Sequence, residues 1–532
     1  MFPPVSLILV LFCFPSIVVS KAVHDHHESF ENCLWNKSGC LSKQQPPILH
    51  SIFSKSYWPI LLSTMRNLRF NFTNTRKPFY IITPENYDQV KRAVVCTKKY
   101  NIEIRTRSGG HDYEGQSLTG PRPFVLLDLQ NLRKVDVNVK DQTAWVQAGA
   151  TLGELYYYIA QKSKTLGFPA GVCPTVGVGG HISGGGQGTL SRKYGLAADN
   201  VVDALIVDVK GRLLDKKKMG KDVFWAIRGG GAANFGVVVA WKIKLVEVPQ
   251  KVTVFTVRSS LEEGATQLVA KWQKIAYRLP EDLFVRLHFG PYKNKKGDAS
   301  MLIAFRGLYL GTVRQLLPVM KKQFPEMGLK ASHCQETTWI GSVLYFAKGV
   351  IKENSTKELL NWKETNPVFQ KPKSDIMTKL MPESALKKLW RVYLKGIPGV
   401  LIMTPYGGKM SSIPEHATPF PHRAGTLFSI LYLSDWNRTS MEVAKEKYGW
   451  LQGIYKFMGD YASKPRTSYL NYKDLDLGKD YEGIANYTQA STWGQMYFKN
   501  NFKKLAEVKY RFDPENYFKN EQSIPPLEPY SD

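Results

Sequence analysis

The sequence predicts an α+β protein of two domains with a closing C-terminal segment, and three features point there. Its 532 residues exceed what one simple core organises. Short apolar strands alternate with amphipathic helices over residues 77–250. From residue 251 to about 465 the pattern changes to that of a sheet with helices laid on one face. A hydrophobic content of 43% against 22% charged residues can fill such cores and argues against global disorder.

The first twenty residues read as a secretion signal. Leu7–Cys13 is an almost unbroken apolar run, Ile17–Val19 extends it, and Ser20 offers a small residue before Lys21. The run is too short for an anchor, and no later stretch stays apolar for the ~20 residues of a membrane span. In the first domain, 21–250, strands are expected at Pro78–Thr83, Ile102–Arg107, Phe124–Leu127, Thr143–Val146, Ala204–Val209 and Val237–Val246. Helices are expected at Pro84–Tyr100 and Leu152–Gln161. In the second, 251–465, Gln250–Arg258, Leu283–Phe289, Met301–Leu308 and Phe428–Tyr432 read as strands, and Leu261–Tyr277 and Thr312–Phe324 as helices. Residues 466–532, rich in Asn, Tyr, Asp and Pro, read as a tail wrapping back on the first domain.

Secretion fits two further features. Asn36, Asn71, Asn354, Asn437 and Asn486 each begin an N-x-S/T glycosylation sequon without proline. With Cys13 in the signal, Cys33, Cys40, Cys96, Cys173 and Cys334 remain, an odd set for an oxidising compartment. Cys33–Cys96 is the first disulfide expected, pinning the N-terminal arm to the first domain, and Cys33–Cys40 is the local alternative. The net charge of +27 invites nucleic acid as a partner. The basic residues are dispersed, however, and the short runs Lys216–Lys218 and Lys293–Lys296 lie beside glycine as solvated turns do. Acidic phenolics or cell-wall polyanions suit this surface better, so neither nucleic acid nor a membrane is expected as partner. A monomer is expected, and no metal.

Three glycine-dense loops carry the chemistry. They are Arg107–Gly115 (RSGGHDYEG), Gly171–Gly188 (GVCPTVGVGGHISGGGQG) and Arg228–Gly236 (RGGGAANFG). Glycine lets backbone N–H groups approach an anionic ligand, as diphosphate binding requires. Neither the dinucleotide-fold nor the P-loop spacing is present.

These loops, with RKYGLAADN, FWAIRGGG, PYGGKM, PFPHR, LNYKDLDLG and NYFKNEQSIPP, resemble the plant berberine bridge enzyme-like family from about residue 28 to 528. Within it the sequence looks most like the cannabinoid synthases and the mulberry flavoproteins that build phenolic rings, Diels–Alderases among them. The resemblance implies a vanillyl-alcohol oxidase-like fold with FAD lying along the first domain. It also implies two covalent flavin bonds, from His111 to the 8α-methyl carbon and from Cys173 to ring carbon 6. Arg107, Ser108, Gly109, Gly110, Val176, Gly177, Gly179, Gly180, His181, Gly236 and Val237 would complete the cofactor site. Val176 matches the position that gates dioxygen, where a small side chain favours oxidase behaviour.

Over the flavin, Tyr472 matches the base of the cannabinoid synthases, and Tyr113 matches a further active-site tyrosine. Positive charge nearby is expected to lower a tyrosine's pKa. His288 matches a histidine that holds a substrate carboxylate, and Arg286, two residues away, shares its strand face. Gln187 stands where relatives often have tyrosine. Leu431 stands where many place Glu or Gln, Ser429 where cannabinoid synthases carry Glu, and Ser491–Gly494 replaces Arg-x-Trp-Gly. Amine oxidation is therefore disfavoured, and the base falls to Tyr472.

The function these residues imply is oxidation of a prenylated phenol. Hydride passes to flavin N5 and dioxygen takes the electrons as hydrogen peroxide. The alternatives are a Diels–Alder cyclase joining a diene to a chalcone without net redox change, with Arg286 or His288 polarising the carbonyl, and an oligosaccharide oxidase. A flavin-binding protein without catalysis is the non-enzymatic alternative. Secretion would lead to the apoplast or the vacuole.

Overall fold

A computed structural model describes residues 28–35, 48–72, 75–349, 351, 355–363, 367–437 and 439–529. The signal segment, Cys40, Asn36 and Asn354 lie outside the described residues.

The first half of the chain builds two main sheets, besides a short antiparallel pair of Leu166–Gly167 with Val246–Glu247. One runs in the order Ile48–Ser51, Tyr80–Thr83, Phe124–Asp128, Glu103–Arg107, with its last three strands parallel. Burial on both faces explains why these strands read as continuous apolar runs such as FVLLD. The other is antiparallel, in the order Val135–Asn138, Thr143–Gln147, Val237–Lys244, Val201–Val207, Leu213–Leu214. Helix Tyr87–Lys99 begins at Asn86, whose side chain accepts from the Gln89 N–H. A disulfide joins its Cys96 to Cys33 in the helix over 28–35.

The second half is a seven-stranded antiparallel sheet in the order Cys334–Thr337, Val252–Ser260, Ala299–Tyr309, Leu283–Lys293, Val400–Pro405, Phe428–Trp436, Phe369–Met377. Alternation divides its faces. Val285, Leu287, Phe289, Leu401, Met403, Ile430 and Tyr432 bury against helices Ala265–Ile275, Val313–Gln323, Glu383–Tyr393 and Met441–Met458. The intervening residues face the first half.

Several expected boundaries shift for local reasons. The helix expected over Leu261–Tyr277 is divided by Gly264, whose φ of +88° ends a short 3-10 turn before the α-helix starts at Ala265. The tail is not merely a wrap: Tyr487–Phe498 and Asn501–Phe512 are helices, the first opened by a capping box between Asn486 and Gln489. Their Trp493, Phe498, Phe502 and Leu505 enter the same core as Val146, Val238 and Trp241 of the second sheet, so the C-terminus packs on the first half. The sequon residues Asn71, Asn437 and Asn486 are exposed.

Two arginines lock the halves together. Arg192, 1% exposed, donates to the backbone carbonyls of Tyr277, Leu279, Pro280, Leu283 and Tyr406. Arg423 makes a two-pronged pair with Asp199 at 2.7 and 2.8 Å. Because Arg192 bonds five carbonyls at this buried junction, Arg192→Met is expected to destabilise the fold by about 3 kcal/mol or more. Arg192→Lys should recover only part, since an ammonium cannot fan out to five acceptors. Urea midpoints at unchanged m-value measure both effects.

Candidate active site

The glycine loops meet where side chains cannot fit. A Cβ on Gly109 would lie 2.2 Å from the Gly177 nitrogen, and one on Gly177 would lie 2.1 Å from the Ser108 hydroxyl. The loops carrying His111 and Cys173 are thereby pressed together. Between them and the bare face of the seven-stranded sheet lies a cavity of about 540 Å³. Its wall follows the chain from Ile104 to Tyr113, then Val172, Cys173 and the turn through Gly188, and ends under Arg286, Leu431 and Tyr472.

His111 and Cys173 converge on one hydroxyl. Thr175 Oγ1 is 2.9 Å from His111 Nε2 and 3.6 Å from Cys173 Sγ. Burial, reinforced by Arg66, holds the His111 pKa well below its ordinary value, which keeps the ring neutral and nucleophilic. Cys173 is a free thiol with an exposed residue surface. His181 Nε2 accepts from the Gly171 N–H at 2.9 Å, and burial lowers its pKa to about 4.

Not every predicted cofactor residue reaches the cavity with its side chain. The Arg107 guanidinium is fully buried against Asp128 at 2.5 Å and the Ile60 and Leu61 carbonyls, so the motif arginine anchors its strand. Gly179, Gly236 and Val237 do not border the cavity. A Cβ on Gly179 would meet the Ala148 carbonyl, one on Gly236 would meet the Val207 carbonyl, and Val237 is core. Asn234 and Asn520, which sequence reasoning passed over, do border it.

At the other end the loop Leu470–Gly478 supplies the reactive group. Tyr469 accepts from the Gly186 N–H and from Asn471 Nδ2, both at 2.9 Å, and Asn471 also donates to the His181 carbonyl at 3.0 Å. Gly184 is required here, because a Cβ would lie 1.9 Å from Asn471 Oδ1. Tyr472 then projects into the cavity, edge-on to Tyr469 at 5.0 Å and to Tyr113 at 6.3 Å between ring centres. The expected lowering of the Tyr472 pKa is not found. Burial raises it, and Arg286 opposes the rise only in part. Burial likewise raises Tyr113.

The bare sheet face forms the far wall. Arg286, Ile402, Thr404, Leu431 and Leu433 line the cavity. Gln187 lines it too, whereas Ser429 lies behind, donating to Gln187 at 3.5 Å. His288 shares the face but does not border the cavity, and burial with Arg286 and Arg306 lowers its pKa to about 2. A neutral His288 cannot hold a carboxylate by charge. Among the described lining residues the one carboxylate is Asp112, occupied by the Glu114 and Gln116 N–H groups at 2.9 and 2.7 Å.

Comparison with known proteins decides the family. Residues 78–216 match the FAD binding domain model, and residues 468–525 match the "berberine and berberine like" model. Tetrahydroberberine oxidase of Argemone mexicana is 45% identical, covering 98% of this chain and 95% of its own. The chain belongs to the berberine bridge enzyme-like family. It is an FAD-dependent oxidoreductase with that family's fold. Cannabidiolic acid synthase-like 1 of Cannabis sativa is 43% identical over 97% of both chains. The crystal structure of Phl p 4, a grass pollen allergen with glucose dehydrogenase activity, superposes with a TM-score of 0.88 at 44% identity, over 94% of this chain and 100% of that one. A Phl p 4 variant with one isoleucine changed to valine is a glucose oxidase. The cavity fits FAD: glycine backbone lines it, and two nucleophilic side chains, His111 and Cys173, border it.

The loops bearing the two tyrosines are held by buried charge. Lys371 pairs with Glu114, with Asp474 at 2.6 Å and with Asp476 at 3.3 Å, and Lys373 reaches both aspartates at 2.7 Å. Lys371→Met would leave buried carboxylates short of a partner, and a loss of about 3–5 kcal/mol is expected. Adding Glu114→Gln should return much of it. Thermal unfolding of the single and double variants measures both.

Proposed function

We propose that this protein is a secreted oxidase that carries FAD on His111 and Cys173 and oxidises a prenylated phenol, with Tyr472 as the base. The observation that carries this reading is Tyr472 in a cavity whose one lining carboxylate, Asp112, is already spent on backbone donors. FAD, when bound, supplies the two-electron oxidation, with dioxygen as final acceptor and hydrogen peroxide as product. The chain's own residues do the rest. Tyr472 accepts the phenolic proton, Asn471 and Tyr469 fix its loop, and Tyr113 packs edge-on against its ring. Loss of that proton and of a benzylic hydride leaves a quinone methide or diene able to close a ring.

The apolar wall of Phe284, Ile402, Leu431 and Leu433 suits a prenyl chain and offers little to sugar hydroxyls. Val176 supports reaction with dioxygen, in keeping with the isoleucine-to-valine change that accompanies glucose oxidase activity in Phl p 4. A signal-like N-terminus, the Cys33–Cys96 disulfide and exposed sequons support secretion. A second reading, a Diels–Alder cyclase, is favoured by one observation: Arg286, a strong donor, faces a cavity that lacks a free carboxylate base.

Anaerobic mixing with prenylated phenols, chalcones and oligosaccharides separates these readings. Bleaching of the flavin band by a phenol, with peroxide on admitting air, is expected. An unbleached flavin with two phenolics joined into a product of summed mass would establish the cyclase instead. Attachment is tested by acid precipitation: the colour should stay with the protein in His111→Ala or Cys173→Ala and leave only in the double variant. For the base, kcat/KM should rise with pH along an alkaline limb, because Tyr472 must lose its proton and burial raises its pKa. Tyr472→Phe should abolish that limb and lower the rate about 10²–10⁴-fold. Val176→Leu should slow reoxidation by air while sparing anaerobic bleaching.

A further inference from the structure

Basic residues are dispersed along the sequence, but the fold gathers some of them on one surface away from the cavity. Helix Lys216–Ala226, kinked at Gly220 where φ is +79°, lies against helix Asn501–Phe512. Asp222 of the first helix ties the two together, reaching Lys504 at 3.9 Å and Arg511 at 3.3 Å. The first helix exposes Lys216, Lys217, Lys218 and Lys221, and the second exposes Lys503, Lys504 and Arg511. The acids among them are Asp215, Asp222 and Glu507. Asp215 accepts from the Lys218 N–H at 2.8 Å, and Glu507 lies 3.9 Å from Lys503. A clear excess of positive charge remains.

Two buried rings support this surface from below. Lys504 lies over Trp225 at 4.5 Å, and Lys216 and Arg228 lie over Phe224 at 4.7 and 4.4 Å. Both rings are buried, so neither can stack on a nucleic-acid base. Of the large apolar side chains exposed among the described residues, none belongs to either helix, so the surface offers nothing to enter a bilayer. Cations gathered this closely repel one another, and a ligand of repeated negative charge relieves that repulsion. None of the exposed cations borders the cavity. The loops that follow the two helices do reach its wall, through Asn234 after the first and Phe518 and Asn520 after the second.

We infer that this helix pair is an exosite for a linear polycarboxylate, an acidic polysaccharide built of uronic acid units. A chain of evenly spaced carboxylates can meet dispersed cations along both helices at once, whereas a single small anion would meet one or two. A chain held there leaves the substrate end of the cavity, at Tyr472, uncovered. The choice of polymer rests on the proposed secretion, since such chains lie outside the cell membrane.

Polygalacturonate and its fully methyl-esterified form, matched in backbone and differing in charge, test this by calorimetry on the full-length holoenzyme. The acid form is expected to bind at least about tenfold more tightly, and its affinity should fall steeply between about 50 and 200 mM salt. The combined change Lys217→Gln, Lys218→Gln and Lys221→Gln should weaken it about tenfold or more, and so should Lys503→Gln, Lys504→Gln and Arg511→Gln. Lys293→Gln, Lys295→Gln and Lys296→Gln remove the same charge from another exposed turn and should change affinity by less than about threefold. An unaltered flavin spectrum and unfolding temperature show that each variant has folded. Equal affinity for the two polymers, no binding of the acid form, or the same loss in all three variants would overturn the inference. Tighter binding of single-stranded DNA of equal charge would overturn it in favour of nucleic acid. Binding is measured on purified protein, so finding the native protein unglycosylated inside the cell would sink the secretion reading without altering these affinities.

Discussion

Everything at the substrate end of the cavity depends on the buried charges that join Arg69, Glu114, Lys371, Lys373, Asp474 and Asp476. They come from four separate pieces of chain: a 3-10 turn near the N-terminus, the RSGGHDYEG loop, the edge strand Phe369–Met377 and the LNYKDLDLG loop. Three cations meet three carboxylates, so the cluster is neutral as a whole. Such a cluster adds little net stability, because desolvation consumes most of the Coulombic gain. What it provides is direction. Glu114 follows Tyr113, and Asp474 lies two residues past Tyr472. Fixing the two carboxylates on one ammonium group therefore fixes the spacing of the two tyrosines.

The second constraint acts from the opposite side of the same loop. Tyr469 and Asn471 bind the Gly186 N–H and the His181 carbonyl, both in the glycine-rich turn that begins with Cys173. Residues 469–476 are thus a bridge, with one side hydrogen-bonded to the cofactor loops and the other ion-paired to the sheet. The tail continues the bridge. Lys509, fully buried, donates to the Asn234 carbonyl at 2.5 Å, to Asp513 at 2.5 Å and to the Phe518 carbonyl at 2.8 Å. Asn234, Phe518 and Asn520 border the far end of the same cavity. A segment distant in sequence closes the site at both ends.

What could be read in the sequence follows from this arrangement. The glycine loops were legible because a backbone crossing as tight as Gly109 on Gly177 admits one residue type, and the requirement is written locally. The strand Phe369–Met377 was not legible: FQKPKSDIM carries Lys371, Pro372, Lys373 and Asp375 and shows no apolar strand pattern. It is buried because its partners wait about a hundred residues downstream at Asp474 and Arg466. The tail helices were hidden by an Asn- and Tyr-rich composition, although the Asn486–Gln489 capping box was a readable signal. Arg107 was expected among the cofactor residues, yet its side chain answers to Asp128. The neutrality of His288 could not be read at all, since it depends first on burial in the folded sheet and then on Arg286 and Arg306, which the strand register brings opposite each other.

Leucine at position 431, where the family resemblance leads one to expect Glu or Gln, has a chemical logic under the proposed reaction. A phenol with a pKa of about 10 gives its proton to a carboxylate of pKa about 4 only at a cost near 8 kcal/mol, whereas transfer to a tyrosinate is close to balanced. A carboxylate at this wall would suit an amine substrate, whose positive charge it could also hold. In a cavity that also holds Arg286 it would instead be drawn toward the cation and weakened as a base. Leucine removes that competitor, keeps the wall apolar and leaves Arg286 without a protein counter-ion. Raising the Tyr472 pKa by burial then works in the same direction: the stronger base is the one better matched to a phenolic proton, and Arg286 limits how far the rise can go.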